Sequence, residues 1–150
     1  MDNCKKIYIE TSVIGGYGRE RFHDLLMKFF EMIRNGIFIP IISAHTIGEL
    51  HHKKTPKEVI ENLMTIEYTV HNTTFEMNNL ANKYVEKKII DEGFKADAVH
   101  IAIATILEVD VLVSWNMTHI CNENTIPLFN KVNIKEGLKP LVIKKPEEIM

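Results

Sequence analysis

Four residues in this chain carry oxygen-bearing side chains at positions where apolar runs stop or pass close by. They are Glu10 in Ile7-Tyr8-Ile9-Glu10-Thr11-Ser12, Glu49 in Ile47-Gly48-Glu49-Leu50, Asp97 in Ala96-Asp97-Ala98-Val99-His100-Ile101-Ala102, and Asn116 in Leu112-Val113-Ser114-Trp115-Asn116. Carboxylates are rarely left beside a core unless they are paired or bind a metal. Three carboxylates brought close together repel one another, and a hard divalent cation relieves that repulsion. Such an ion can polarise a phosphate oxygen and activate a water for attack at phosphorus. Mg²⁺ or Mn²⁺ is the expected cofactor, because both prefer oxygen ligands completed by water.

The elements that must position these residues alternate between strand and helix, predicting a central, mainly parallel sheet in a three-layer α/β/α sandwich. Lys6–Glu10 reads as a short central strand. Over Arg21–Asn35, the residues Phe22, Leu25, Leu26, Phe29, Phe30 and Ile33 recur at helical spacing and predict an amphipathic helix that Asn35-Gly36 stops. Ile37–Ile42 reads as a second strand whose Pro40 sits awkwardly for inner pairing. Ser43 can cap the helix that carries Glu49. Pro56 suits the first position of a further helix. Ile66–Val70 reads as a third strand, and Thr73-Thr74-Phe75-Glu76 as a capping box for a helix to about Lys88. Asp97–Glu108 is apolar almost all round and predicts a buried helix. Val111–Ser114 is the fourth strand, Leu141–Ile143 a fifth at an edge, and Pro146-Glu147-Glu148 a last helical turn.

In open α/β sheets, sites form beyond the carboxyl ends of the strands. Glu10 ends the first strand and Asn116 lies two residues past Ser114. Asp97 occupies the first turn of its helix, where the dipole favours an anion. Glu49, nearly two turns into its helix, faces inward if Ile47 and Leu50 pack on the sheet. Each residue alone has an ordinary reading: a strand-end Glu pairing with a lysine, a solvated helix Glu, an N-terminal helix acid, a turn Asn. Their joint order and placement favour a site.

At these residues the chain resembles the PIN-domain proteins, metal-dependent ribonucleases that include the VapC-type toxins of toxin–antitoxin pairs. The resemblance rests on Ile9-Glu10-Thr11-Ser12, the Glu49 helix, Asp97-Ala98-Val99-His100-Ile101-Ala102 and Ser114-Trp115-Asn116, and runs over essentially the whole chain. It implies an α/β/α fold, hydrolysis of RNA phosphodiesters with Mg²⁺ or Mn²⁺, a homodimer and, for a toxin, an antitoxin whose tail enters the acidic cleft. Carried over by position, Glu10, Glu49 and Asp97 fall on the metal-binding acids, and Asn116 on a fourth position usually held by Asp. Thr11 or Ser12 falls where a hydroxyl supports the site. Glu10 stands where many members have Asp, and a subgroup with Glu-Thr-Ser and Trp-Asn motifs shares both departures. With Asn116 the site has one formal charge fewer, which suits one tightly held ion and a second recruited with substrate phosphate.

Other residues read more plainly. His100, three residues after Asp97, is placed on the same helix face, either to steady a carboxylate or touch phosphate, or as a core histidine. His51 and His52 are adjacent on a helix and cannot easily share an ion, so they read as surface. His119, near Asn116, could contact RNA, but a loop histidine without a role is the better reading. Trp115 could stack a base, but packing against the sheet is the better reading. Gly15-Gly16-Tyr17-Gly18 lacks the ending of a phosphate loop and reads as a flexible loop. Lys5-Lys6, Lys53-Lys54, Lys87-Lys88 and Lys144-Lys145 read as solvated faces.

Bulk properties set the frame. The 150 residues, 45% hydrophobic and 25% charged, suit one domain spanning 1–150. A formal net charge of −2 argues against coating nucleic acid by bulk electrostatics but not against an enzyme that acts through a bound cation. No apolar run approaches the ~20 residues of a membrane span. Met1–Lys6 leads into a short apolar stretch and then Glu10, too short and too acidic for an export signal. Two cysteines, Cys4 and Cys121, give no disulfide framework, so a cytoplasmic protein is expected. The main reading is therefore a metal-dependent endoribonuclease; a catalytically silent PIN-fold module binding RNA or protein, and a phosphatase or DNA nuclease using the same acids, are the alternatives.

Overall fold

Alternation along each strand decides where the core goes. In β1 (Lys5–Ile9) the side chains of Ile7 and Ile9 enter one apolar cluster while Tyr8 enters another. The same split occurs in β4 (Val111–Val113), where Val111 and Val113 join the first cluster and Leu112 the second. Strands apolar on both sides need cover on both faces, and helices supply it. The computed structural model describes residues 4–150; Met1, Asp2 and Asn3, part of the stretch read against an export signal, lie outside them. Among the described residues, the remaining strands are β2 (Phe38–Ser43), β3 (Thr69–His71) and β5 (Ile143–Lys144). They form one sheet of order β3-β2-β1-β4-β5, and every pairing is parallel.

The helices are α1 (Thr11–Ile14), α2 (Glu20–Arg34), α3 (Ala44–His52), α4 (Lys57–Leu63), α5 (Phe75–Glu86), α6 (Lys95–Ile106) and α7 (Ile126–Lys135). Phe22, Leu26, Phe29, Phe30 and Ile33 of α2 pack with Val59 and Leu63 of α4 on one face of the sheet. On the other face lie Leu80, Ala81 and Tyr84 of α5, Ile101 and Ala102 of α6, and Phe129 of α7. The expected α/β/α sandwich is therefore present, with a wholly parallel sheet. α6 is buried on nearly all sides from Ala98 to Thr105, as its composition requires.

Several boundaries differ from the sequence reading. The third strand begins at Thr69 rather than Ile66, because Ile66 turns into the core beneath α2 and α4. Thr74, not Thr73, caps α5: its hydroxyl accepts from Met77 N at 3.2 Å, and Met77 Sδ accepts from Thr74 N at 3.3 Å. Pro56 is the residue before α4 rather than its first. Pro40 is accommodated within an inner strand: it pairs with Ile7 of β1, and the ladder with β3 begins only at Ile41. Gly15–Gly18 is one turn of 3-10 helix rather than an irregular loop. α7, opened by Pro127, has no counterpart in the sequence reading.

The strand order places the topological switch beside β1. The chain leaves β1 toward β2 and β3, then crosses back to lay β4 on the other side of β1. The connections diverge at the carboxyl ends of β1 and β4, which opens a crevice there.

Candidate active site

Glu10 lies at that crevice. It follows β1 directly, and its backbone N–H donates to Val113 O at 3.1 Å, so it sits beside the end of β4. Only 4% exposed, its carboxylate caps α1 by accepting from Ser12 N at 2.9 Å. Its other oxygen accepts from Ser12 Oγ at 2.5 Å and Ser114 Oγ at 2.6 Å. A buried carboxylate is tolerated because these three donors replace its hydration. Ser114 also accepts from Asn116 N at 2.9 Å, and Ser12 Oγ accepts from Trp115 N at 2.9 Å. The two hydroxyls thus tie the end of β1 to the segment after β4.

Ser43 caps α3, accepting from Thr46 N at 3.1 Å, and the helix turns Glu49 toward α6. Glu49 Oε1 accepts from Thr11 Oγ1 at 2.5 Å and from His100 Nε2 at 2.6 Å. His100 is fully buried, and its Nδ1 lies 2.7 Å from the Tyr8 hydroxyl, which in turn lies 2.7 Å from Ser43 Oγ. Burial disfavours a charged imidazole, but the Tyr8 oxygen, the bond to Glu49 and the Glu10 charge outweigh it and raise its pKa to about 10. Burial likewise opposes the Glu49 carboxylate, yet the bond and charge of His100 and the Thr11 bond lower its pKa to about 2. The two therefore form an imidazolium–carboxylate pair. His45, at i−4 from Glu49, has its pKa lowered by burial and by the His100 charge.

Asp97 stands in the first turn of α6, and its Oδ2 is 2.8 Å from His119 Nδ1. Asn116 turns its side-chain oxygen back to accept from His119 N at 3.1 Å, fixing the loop that carries His119. Glu10, Thr11, Ser12, Glu49, Asp97 and Asn116 line one cleft of about 580 Å³. All four residues singled out in the sequence, and both supporting hydroxyl residues, thus reach the same cavity. His100 does not: it lies beneath the floor, unable to touch a ligand, and holds Glu49 rather than Asp97.

Some carboxylate oxygens of the cleft keep lone pairs that no protein donor takes. Among the described residues, Asp97 Oδ1 accepts no hydrogen bond, and Glu49 Oε2 has only His45 Nε2 at 3.9 Å. Glu10 Oε2 accepts a single bond, leaving a lone pair. Among the described residues, one triple of Cys, His, Asp or Glu ligand atoms lies within a mutual 4.8 Å: His45, Glu49 and His100. It is not arranged as a nitrogen-ligated metal site. His45 Nε2 is 2.9 Å from the Ala96 carbonyl and His100 Nε2 is held against Glu49, so both nitrogens donate protons rather than offer lone pairs.

The sequence reading left out several residues that shape the site. Ser114, at a strand end, carries no sequence signal of its bond to Glu10. His45 had a signal, the i, i+4 spacing to Glu49. His119 now has a defined partner in Asp97. Trp115 is 4% exposed, stacked on Phe22 at 4.3 Å between centroids, and donates from Nε1 to Glu147 at 2.8 Å. It packs, as expected, and offers no face for a base. A Cβ on Gly16 would lie 2.5 Å from Trp115 Cζ3, so the 3-10 turn must carry glycine there.

No protein-family model matches the sequence, and no curated protein is similar to it at a significant level. Solved structures do resemble the fold. VapC20 of Mycobacterium tuberculosis, a toxin that cleaves the sarcin–ricin loop, aligns with a TM-score of 0.58 at 14% identity, over 75% of this chain and 92% of that one. VapBC2 of Rickettsia felis, solved bound to a DNA fragment from its promoter, aligns with a TM-score of 0.56 at 15% identity, over 93% and 98%. At such identities the likeness speaks for architecture alone, and that architecture is the PIN-domain fold of VapC-type proteins.

Proposed function

We propose that the chain is a metal-dependent endoribonuclease that hydrolyses RNA phosphodiesters, acting as the toxin of a toxin–antitoxin pair. The observation that carries this reading is the convergence of Glu10, Glu49, Asp97 and Asn116 on one cleft, at the switch point of a PIN fold. Glu10, Glu49 and Asp97 would hold Mg²⁺ or Mn²⁺, with the Asn116 amide beside them. The bound ion would supply charge neutralisation at phosphate and a water of lowered pKa. The protein's own part is positioning. Ser12 and Ser114 fix Glu10, His100 and Thr11 fix Glu49, and His119 orients Asp97. On this reading the partners are an RNA substrate, an antitoxin and a second copy of the chain, and the compartment is the cytoplasm.

The test is Mn²⁺-dependent cleavage of a mixed RNA panel by the wild type and Asp97→Asn, with circular dichroism to establish that both fold. The expected result is cleavage by the wild type and a loss of at least about a hundredfold in the variant, since losing even a group behind the ligands costs about 10–100-fold. Equal rates would overturn the reading. A second reading, a PIN-fold module without catalysis, has one observation in its favour. Each acid already has a protein donor, so the carboxylates are hydrogen-bonded without an ion. It predicts no cleavage and no rise in melting temperature with Mn²⁺.

A further inference from the structure

The cleft that holds the acids is also lined by Arg19, Lys53 and Lys54. Opposite charges in one cavity ordinarily collapse into ion pairs. Among the described residues, none of these three cations is paired with Glu10, Glu49, Asp97 or any other acid. They are held apart from the floor by local structure. The Arg19 guanidinium lies over the Phe22 ring at 4.7 Å, on a ring that also stacks with Trp115. Lys53 and Lys54 sit in the connection between α3 and α4. Thr55 pins that connection, with its hydroxyl 2.6 Å from both the Leu50 and Lys53 carbonyls. The two segments are packed together where Gly18 meets Val59 and Pro56; a Cβ at Gly18 would lie 3.3 Å from Val59 Cγ2. The cleft is therefore bipolar, with carboxylates on its floor and unpaired cations at its rim.

We infer that Arg19, Lys53 and Lys54 grip backbone phosphates of single-stranded RNA adjacent to the phosphate presented to the acids. The inference rests on the nuclease reading for the choice of polyanion. A bipolar cleft suits a ligand that meets the floor through divalent cations and the rim through its own phosphates. An acidic peptide would satisfy the rim and leave the floor in repulsion. Phosphate contacts of this kind add affinity without base specificity and make binding salt-dependent. They also give the Lys53-Lys54 pair a role that its place in the sequence does not disclose.

The test is fluorescence-anisotropy binding of a labelled, unstructured RNA in EDTA, where no cleavage can occur, across a salt series. The wild type is compared with Arg19→Gln/Lys53→Gln/Lys54→Gln and with a control of equal charge change, Lys87→Gln/Lys131→Gln/Lys135→Gln, in the groove between α5 and α7. The rim variant is expected to bind at least about tenfold more weakly. Its slope of log Kd against log salt should be shallower by about 2, at about 0.7 per lost contact on a single strand. The control should stay within about threefold of the wild type. Melting curves with and without Mn²⁺ on the same proteins report on the floor separately. Absence of Mn²⁺ stabilisation with rim-dependent RNA binding would count against catalysis and leave the rim intact. Equal weakening by both variants, or rim-dependent binding of a poly-glutamate peptide in place of RNA, would overturn the inference.

Discussion

Replacing His100 with leucine tests the pair on which the geometry of Glu49 depends. The substitution removes a buried cation and leaves Glu49 with the Thr11 hydroxyl, at 2.5 Å, as its remaining close donor. Breaking a fully buried ion pair by deleting one partner costs roughly 3–5 kcal/mol. The Glu49 side chain is 16% exposed, so water recovers part of this, and about 2–3 kcal/mol is the expected loss. For a chain of this size that corresponds to a fall in melting temperature of about 5–10 °C. The effect should depend on pH. His100 has its pKa raised from 6.5 to about 10, so its contribution is complete below pH 6.5 and is lost as pH rises through 10. Glu49 is lowered from 4.5 to about 2, so its contribution is complete above pH 4.5 and is lost as pH falls through 2. The gap between wild type and His100→Leu should therefore be widest between pH 4.5 and 6.5 and close toward pH 10. Urea unfolding in EDTA at a series of pH values measures it. A gap that is constant with pH, or smaller than about 0.5 kcal/mol throughout, would refute the imidazolium–carboxylate assignment.

Three further outcomes are expected. Ser114→Ala removes a donor from Glu10 and an acceptor from Asn116 N, and should weaken Mn²⁺ binding about tenfold or more by isothermal titration, with the fold retained. Gly16→Ala drives a methyl into Trp115 and should destabilise the protein by about 1–3 kcal/mol, visible as a change in tryptophan fluorescence and an earlier melt. Millimolar Mn²⁺ should raise the melting temperature of the wild type and not of Asp97→Asn, since an ion held by the folded state alone stabilises it by mass action.

The sequence by itself determined the architecture and the acids and amide that line the cleft. Strand and helix periodicities are local, so β1, β4, α2 and the buried α6 could be read from runs of a few residues. Glu10 and Asn116 follow strand ends, and residues at those ends share one edge of a parallel sheet whatever the details of packing. Where signals were weak, the reading slipped: the short β3 has three residues, and α7 lacks a strong apolar stripe, with only Phe129 and Asn133 fully buried. Tertiary structure alone decided how the acids are partnered. Ser114 is 104 residues from Glu10, His100 is 51 from Glu49 and His119 is 22 from Asp97. Helical spacing put His100 with Asp97, but both His100 and Glu49 face the interface between α3 and α6, so burial joined them instead. The cationic rim has the same origin. Arg19 and Lys53-Lys54 are ordinary surface residues in the sequence, and the packing of Gly18 against Val59 and Pro56 brings their segments together at one cleft. Local spacing can say which face a side chain takes; only the closed fold says which distant charge it meets there.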